Sequence, residues 1–181
     1  LKFSKRVDDP KPIPVLHPEK PAPDSLATSV ALENILVDIC KEVIMYCQDD
    51  VPSYLSHIEG WDRVVHEMPK SFDMTILVDT GGPQMLMRTL DKHQAKLASQ
   101  PFVIIDHHGT REPMPFDTID VIEPLCSATG ELVVKICKQL DWKINLQAAS
   151  AIVPSILADT RGLTVPTTTA DTVQAVADMV R

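Results

Sequence analysis

The sequence predicts an α/β fold: a doubly wound, mostly parallel sheet flanked by helices. Three observations predict it. First, Phe102-Val103-Ile104-Ile105 is a short apolar run with three β-branched residues, bounded by Gln100-Pro101 and Gly109. That is the pattern of a strand buried on both faces, as parallel sheets require. Second, strand-like and helix-like segments alternate at the spacing of βαβ units. Third, three apolar segments end on an aspartate: Ile76-Leu77-Val78 on Asp79, Phe102 to Ile105 on Asp106, and Ile156-Leu157-Ala158 on Asp159. Ligands of open α/β sheets sit beyond the carboxyl ends of the strands, so polar residues that close such runs are candidates for chemistry.

The elements follow in chain order. Residues 1–24 hold six of the fifteen prolines, which makes residues 1–12 irregular and leaves Ile13 to Leu16 as a short strand candidate. Asp24 or Ser25 is placed to cap a helix with Leu26, Val30, Ile35 and Leu36 on its apolar face. Val43 to Cys47 reads as a strand closed by Gln48-Asp49-Asp50, and Val51 to Val65 as a helical turn with a short extended piece around Trp61. Thr75 to Val78 is the strand before Asp79, and Pro83 to Leu97 a helix with proline in its first turn. After the strand ending at Asp106 come a loop from Gly109 to Phe116 and an extended run from Thr118 to Ile122. Ser127 begins the next helix, with Thr129 and Glu131 in its first turn. Asn145 caps another that runs toward Asp159, and Asp171 starts the last.

Length and composition narrow the class. A chain of 181 residues buries roughly 70% of its unfolded surface, so one core and one domain are expected. No run reaches the ~20 apolar residues of a membrane span, and no signal-peptide pattern opens the chain. Cys40, Cys47, Cys126 and Cys137 form no Cys-x-x-Cys pair and read as reduced core thiols of a cytoplasmic protein. The net charge of −8 and the lack of a lysine and arginine track argue against binding long nucleic acid. The same balance suits carboxylates that hold divalent cations. Asp106-His107-His108 at a strand end can supply imidazole ligands oriented by a neighbouring carboxylate.

These residues carry a family resemblance. Val78-Asp79-Thr80, Asp106-His107-His108 and Ala158-Asp159-Thr160-Arg161-Gly162 together resemble the DHH phosphoesterase family. The helix start Ser127-Ala128-Thr129-Gly130-Glu131-Leu132 is similar to its branch of oligoribonucleases and 3′-phosphoadenosine 5′-phosphate phosphatases. The resemblance covers about residues 13 to 181. It implies a single catalytic domain over residues 1–181 that hydrolyses phosphoester bonds by a metal-activated water, including exonucleolytic release from short oligonucleotides. Implied partners are a short oligonucleotide or a nucleotide phosphate, with no membrane, and a homodimer is an assembly left open. Carboxylates and imidazoles without thiolates favour Mn2+ or Mg2+ over structural zinc.

By motif match, Asp79 is the carboxylate shared by two ions, and Asp24, His107 and Asp159 complete one metal site. His108 contacts the substrate phosphate, and Asp106 orients His107. Arg161 is a weaker phosphate candidate. The first motif departs from the family pattern His-x-x-Pro-Asp-x-Asp, for the chain reads His17-Pro18-Glu19-Lys20-Pro21-Ala22-Pro23-Asp24. Asp24 keeps the second aspartate, Ala22 replaces the first, and His17 is one residue too far from Pro21. One tight and one weak metal site are therefore expected, with His17 as a weak ligand and Glu19 as a substitute. The glycine-rich C-terminal substrate domain of the family is absent from these 181 residues. Two further readings stay open: a catalytically weakened domain that binds a nucleotide or protein partner, and a pyrophosphatase-like hydrolase.

Overall fold

A computed structural model of the chain describes residues 11–39 and 41–180. Cys40 and the first ten residues, which hold Pro10 and most of the segment expected to be irregular, lie outside the described residues. Five strands, β1 (Ile13–Leu16), β2 (Val43–Tyr46), β3 (Thr75–Val78), β4 (Phe102–Asp106) and β5 (Ile119–Ile122), form one sheet. Their order is β2-β1-β3-β4-β5 and every pair is parallel. The five helices are α1 (Pro23–Asp38), α2 (Met87–Leu97), α3 (Thr129–Leu140), α4 (Leu146–Asp159) and α5 (Ala170–Met179).

Side-chain alternation along the strands sorts the helices onto two faces. Val15, Ile76, Val78, Val103 and Ile105 pack with Leu32, Ile35 and Leu36 of α1 and Leu132 and Val133 of α3. On the other face, Leu16, Leu77, Phe102 and Ile104 meet Leu86 and, from α2, Leu90 and Leu97. The sheet is thus doubly wound, as expected. The strand order reverses between β1 and β3, and a crevice opens beyond their carboxyl ends there.

Helix α1 is buried along both flanks because α4 forms a further layer. Leu26, Ala27, Val30 and Ala31 pack with Ala151, Ile152 and Ile156 of α4 and Ala175 of α5. A helix apolar around most of its circumference has to be enclosed in this way.

Several boundaries differ from the sequence reading, each for a local reason. Ala22, in extended backbone, precedes the first turn of α1, and the Ser25 hydroxyl accepts from its N–H at 2.9 Å. Asp24 lies inside that turn and faces the interior, so neither it nor Ser25 is the cap. Residues Pro83–Leu86 form a tighter 3-10 turn before α2 begins at Met87. Trp61 sits in another such turn, and the extended contact is Val65, which bridges to Tyr46. Helix α3 starts at Thr129, two residues after Ser127, whose N–H donates to the buried Glu131 carboxylate at 2.9 Å. Thr169, not Asp171, caps α5 by accepting from the Thr172 N–H at 3.2 Å. Asn145 caps α4 as expected, accepting from the Ala148 N–H at 2.8 Å.

The first turn of α3 lies so close to α4 that only glycine fits at position 130. A Cβ there would stand 2.1 Å from Ser155 Oγ and 2.8 Å from Ser155 Cβ. Gly130→Ala should therefore force the two helices apart and lower stability by about 1–3 kcal/mol. Differential scanning calorimetry checks this, and an unchanged melting temperature would mean that the α3–α4 contact is looser than described.

Candidate metal centre

Four elements deliver carboxylates and imidazoles to the crevice. Asp79 follows β3, Asp106 ends β4 and is followed by His107 and His108, Asp24 lies in the first turn of α1, and Asp159 ends α4. Asp79 adopts a left-handed backbone with φ 54°. Aspartate tolerates that region better than most residues, and its N–H still extends the sheet by donating to Ile105 O at 3.0 Å.

Asp24 is fully buried and has the densest set of donors. Its Oδ2 accepts from the Thr129 N–H at 2.8 Å. Its Oδ1 accepts from Thr28 Oγ1 at 3.0 Å, from Ser155 Oγ at 2.5 Å and from the Gly130 N–H at 3.4 Å. The last two residues named on the backbone are the first of α3, so the carboxylate caps that helix electrostatically. Thr28, Ser155 and the two amides escape a reading of the sequence for charged ligands. The only signal was the small-residue start Ser127-Ala128-Thr129-Gly130, where glycine permits the close approach.

His107 stands at the centre. Its Nε2 lies 3.2 Å from Asp159 Oδ2 and 3.8 Å from both Asp24 Oδ2 and Asp79 Oδ1. Its Nδ1 contacts the Cys126 carbonyl at 3.2 Å, which leaves Nε2 as the ring atom aimed into the carboxylates. The ring of His108 is oriented differently. Its Nδ1 contacts Asp106 Oδ1 at 2.7 Å, and the same oxygen accepts from the N–H groups of His107 and His108 at 2.8 and 3.3 Å. Asp106 therefore holds the ring of His108 and only the backbone of His107, whereas the sequence reading gave it the His107 ring.

The remaining candidates fall outside this cluster. His17, at the end of β1, is buried with Nδ1 3.2 Å from the Pro18 carbonyl and no partner for Nε2. Burial lowers its imidazole to about 4, so it is neutral. Glu19 is committed elsewhere: it accepts from the Thr89 N–H at 2.8 Å and from Arg88 Nε at 3.1 Å, and it has no part in the cluster. Ala22 is exposed and offers only a methyl group. Arg161 is exposed, with φ 49°, in the turn after α4.

The donor set fits a cation. His107 Nε2 is buried and makes no hydrogen bond of acceptable geometry, although three carboxylates surround it. Two groups of ligand atoms, Asp79-His107-His108 and Asp24-His107-Asp159, each lie within 4.8 Å of one another and share His107. Oxygen and imidazole ligands without sulfur suit manganese or magnesium.

Without a cation, protons must offset the crowded charge. Burial, followed by the Asp24 and Asp159 carboxylates, pushes Asp79 up to about 8. Burial and then Asp159 also raise Asp24. For His107, burial works downward, but the three carboxylates overcome it and raise the imidazole to about 9. The folded protein thus keeps protons at neutral pH that the unfolded chain has lost. Stability of the metal-free protein should fall as pH rises from 6 through 9. A divalent cation such as manganese would replace those protons, so its binding should release protons and flatten the slope. Melting temperatures measured across that interval, with chelator and with manganese, check both statements. A metal-free melting temperature that rises with pH would contradict them.

Comparison with known proteins bears on this site. The DHH family, N-terminal domain, matches residues 12–160. The chain is 29% identical over 167 residues to a probable manganese-dependent inorganic pyrophosphatase of Lactobacillus acidophilus, covering 87% of the chain and 50% of that protein. It is 24% identical over 171 residues to the bifunctional oligoribonuclease and PAP phosphatase NrnA of Bacillus subtilis, covering 92% of the chain and 52% of that protein. An exopolyphosphatase-related protein from Bacteroides fragilis shares the fold, with a TM-score of 0.80 at 19% identity over 93% of this chain and 52% of that one. The chain thus spans about half the length of the curated relatives it matches. Among the described residues, no helix is long and apolar enough to cross a membrane.

Proposed function

The chain belongs to the DHH family, and on that premise we propose that it is a metal-dependent hydrolase of phosphoester bonds in nucleotide phosphates or short oligonucleotides. One observation carries the reading: a buried imidazole nitrogen without a hydrogen bond, ringed by three carboxylates at the switch point of a parallel sheet. Asp24, Asp79, His107 and Asp159 would hold the ion, with Asp79 and His107 also reaching the His108 side. A divalent cation there supplies a Lewis acid that polarises a phosphoryl oxygen and lowers the pKa of water.

The protein's own groups then position and polarise the substrate. Asp106 accepts from His108 Nδ1, and this contact raises the imidazole above its ordinary value. His108 Nε2–H is left to donate to a phosphate oxygen, and its positive charge is worth most where negative charge builds up in the transition state. The side chain is 43% exposed, so a substrate can reach it. Asp24, with four donors already on its oxygens, is a fixed wall and does not move with the substrate.

The Lactobacillus relative favours inorganic pyrophosphate as a second substrate reading. Rates measured with manganese on 3′-phosphoadenosine 5′-phosphate, a short oligoribonucleotide and pyrophosphate separate the two. Faster turnover of pyrophosphate than of either nucleotide would overturn the first reading. Asp79→Asn should reduce turnover of every substrate by more than the ~10–100-fold typical of residues that merely orient ligands. Asp106→Asn should retain manganese but lose the support for His108, so the alkaline limb of the pH–rate profile should move to lower pH. An unmoved limb would separate His108 from the reaction.

A further inference from the structure

Glu131 is a fully buried acid that belongs to neither group of ligand atoms at the cation centre. It lies in the first turn of α3, next to the Thr129 and Gly130 amides that serve Asp24. Its Oε2 accepts from the Ser127 N–H at 2.9 Å and from Thr172 Oγ1, on α5, at 2.8 Å. Lys135, one helical turn further on, holds Nζ 3.2 Å from Oε1 and offsets the cost of burying a carboxylate.

One of these contacts leads back to His107. The Ser127 N–H and the Cys126 carbonyl belong to the same trans peptide group and point in opposite directions. Glu131 sits at one end of that group, and His107 Nδ1 lies 3.2 Å from the carbonyl oxygen at the other. A carbonyl can only accept, so Nδ1 carries the proton and Nε2 keeps its lone pair for a cation. On the reading of this centre as the metal site of a hydrolase, we propose that Glu131 is a positioning residue that orients His107 through the Cys126–Ser127 peptide group. A carboxylate on the N–H side polarises the peptide and makes its carbonyl a stronger acceptor. The stronger acceptor fixes both the ring and its tautomer, the task that a carboxylate performs by direct contact behind many metal-bound histidines.

The relay is held on both flanks. The Cys126 N–H donates to Glu123 O at 3.0 Å, and Ser127 Oγ donates to Thr167 O at 2.7 Å. Cys126 and Ser127 are themselves buried, so water does not compete for the peptide. The two histidines then differ by one link: Asp106 touches the ring of His108, whereas Glu131 acts on His107 across a peptide. A role confined to capping α3 has a different consequence, because loss of a cap lowers stability and leaves the affinity for an ion as it was.

Calorimetric titration with manganese alone, beside thermal melting, separates the two roles. Glu131→Gln keeps the size of the side chain and removes its charge. Its Kd for manganese should rise about tenfold, the low end of the ~10–100-fold range for groups that orient metal ligands. Thr172→Val is the control: it removes a donor to the same carboxylate and loosens α5, yet leaves the charge facing Ser127. It should lower the melting temperature and leave the Kd unchanged. A Glu131→Gln protein that binds manganese as tightly as the wild type would overturn the relay, and so would equal weakening in the two variants. If Glu131→Gln does not fold, nuclear magnetic resonance of the wild type with magnesium decides. The His107 ring should show the Nδ1–H tautomer, and the Ser127 amide proton should shift as the ion binds. An Nε2–H tautomer or an unmoved Ser127 amide would overturn the proposal. Weakened manganese binding in Glu131→Gln, with no hydrolysis of nucleotides by the wild type, would uphold the relay and defeat the hydrolase reading. Hydrolysis by the wild type with an unchanged Kd in the variant would do the reverse.

Discussion

The buried carboxylate of Asp24 is the interaction on which the rest of the structure depends. A carboxyl group with no contact to water is costly to bury unless its polar atoms find partners. Here three helices supply them: Thr28 from α1, the Thr129 and Gly130 amides from α3, and Ser155 from α4. The three helices can satisfy that one group only by converging on it. Gly130 is the concession that lets the α3 backbone come close enough. The same convergence turns Asp159, one helical turn beyond Ser155, toward the crevice.

The sheet brings the remaining ligands for a different reason. In a parallel sheet all strands end on the same side, so residues following β3 and β4 are neighbours however far apart they lie in the chain. The β3–β4 register pairs Val78 with Ile105, and this sets Asp79 beside Asp106 and the two histidines. Burial and mutual repulsion make the cluster hold protons without a cation and hold a cation in their place. Electrostatics and topology thus both suit divalent cations at this cluster. The two histidines divide their tasks through their second ring nitrogens. A backbone carbonyl behind His107 leaves its Nε2 for the ion, and a carboxylate behind His108 favours the imidazolium.

The loop of the first motif has been put to other uses. Glu19 ties it to the start of α2, where its carboxylate takes the Thr89 N–H and pairs with Arg88. The Glu19 N–H adds a bond to Met85 O at 3.0 Å, so backbone and side chain fasten the same junction. A carboxylate held by a guanidinium and a helix N-terminus has little reason to leave for a metal. This is why a nearby acid in the sequence does not replace the one missing at Ala22.

Much of this protein was determined by the sequence itself. Period and punctuation located the five strands and five helices, because short apolar β-branched runs and capped amphipathic segments leave local marks. Asp79, Asp106, His107, His108 and Asp159 stood out because each closes an apolar segment, and Asp24 stood out by motif. The tertiary structure alone decided which of them meet and what holds them. Asp106 faces His108 rather than the ring of His107, Glu19 turns to α2, and His17 is buried apart from the cation groups. Ser155, Thr28 and the Cys126 carbonyl entered the site without any sequence signal, and the α3 amides with only the small-residue start at Ser127 to Gly130. Hydrogen bonds between residues more than a hundred positions apart, such as Ser155 to Asp24, depend on how layers pack, and packing geometry is not a property of any local stretch.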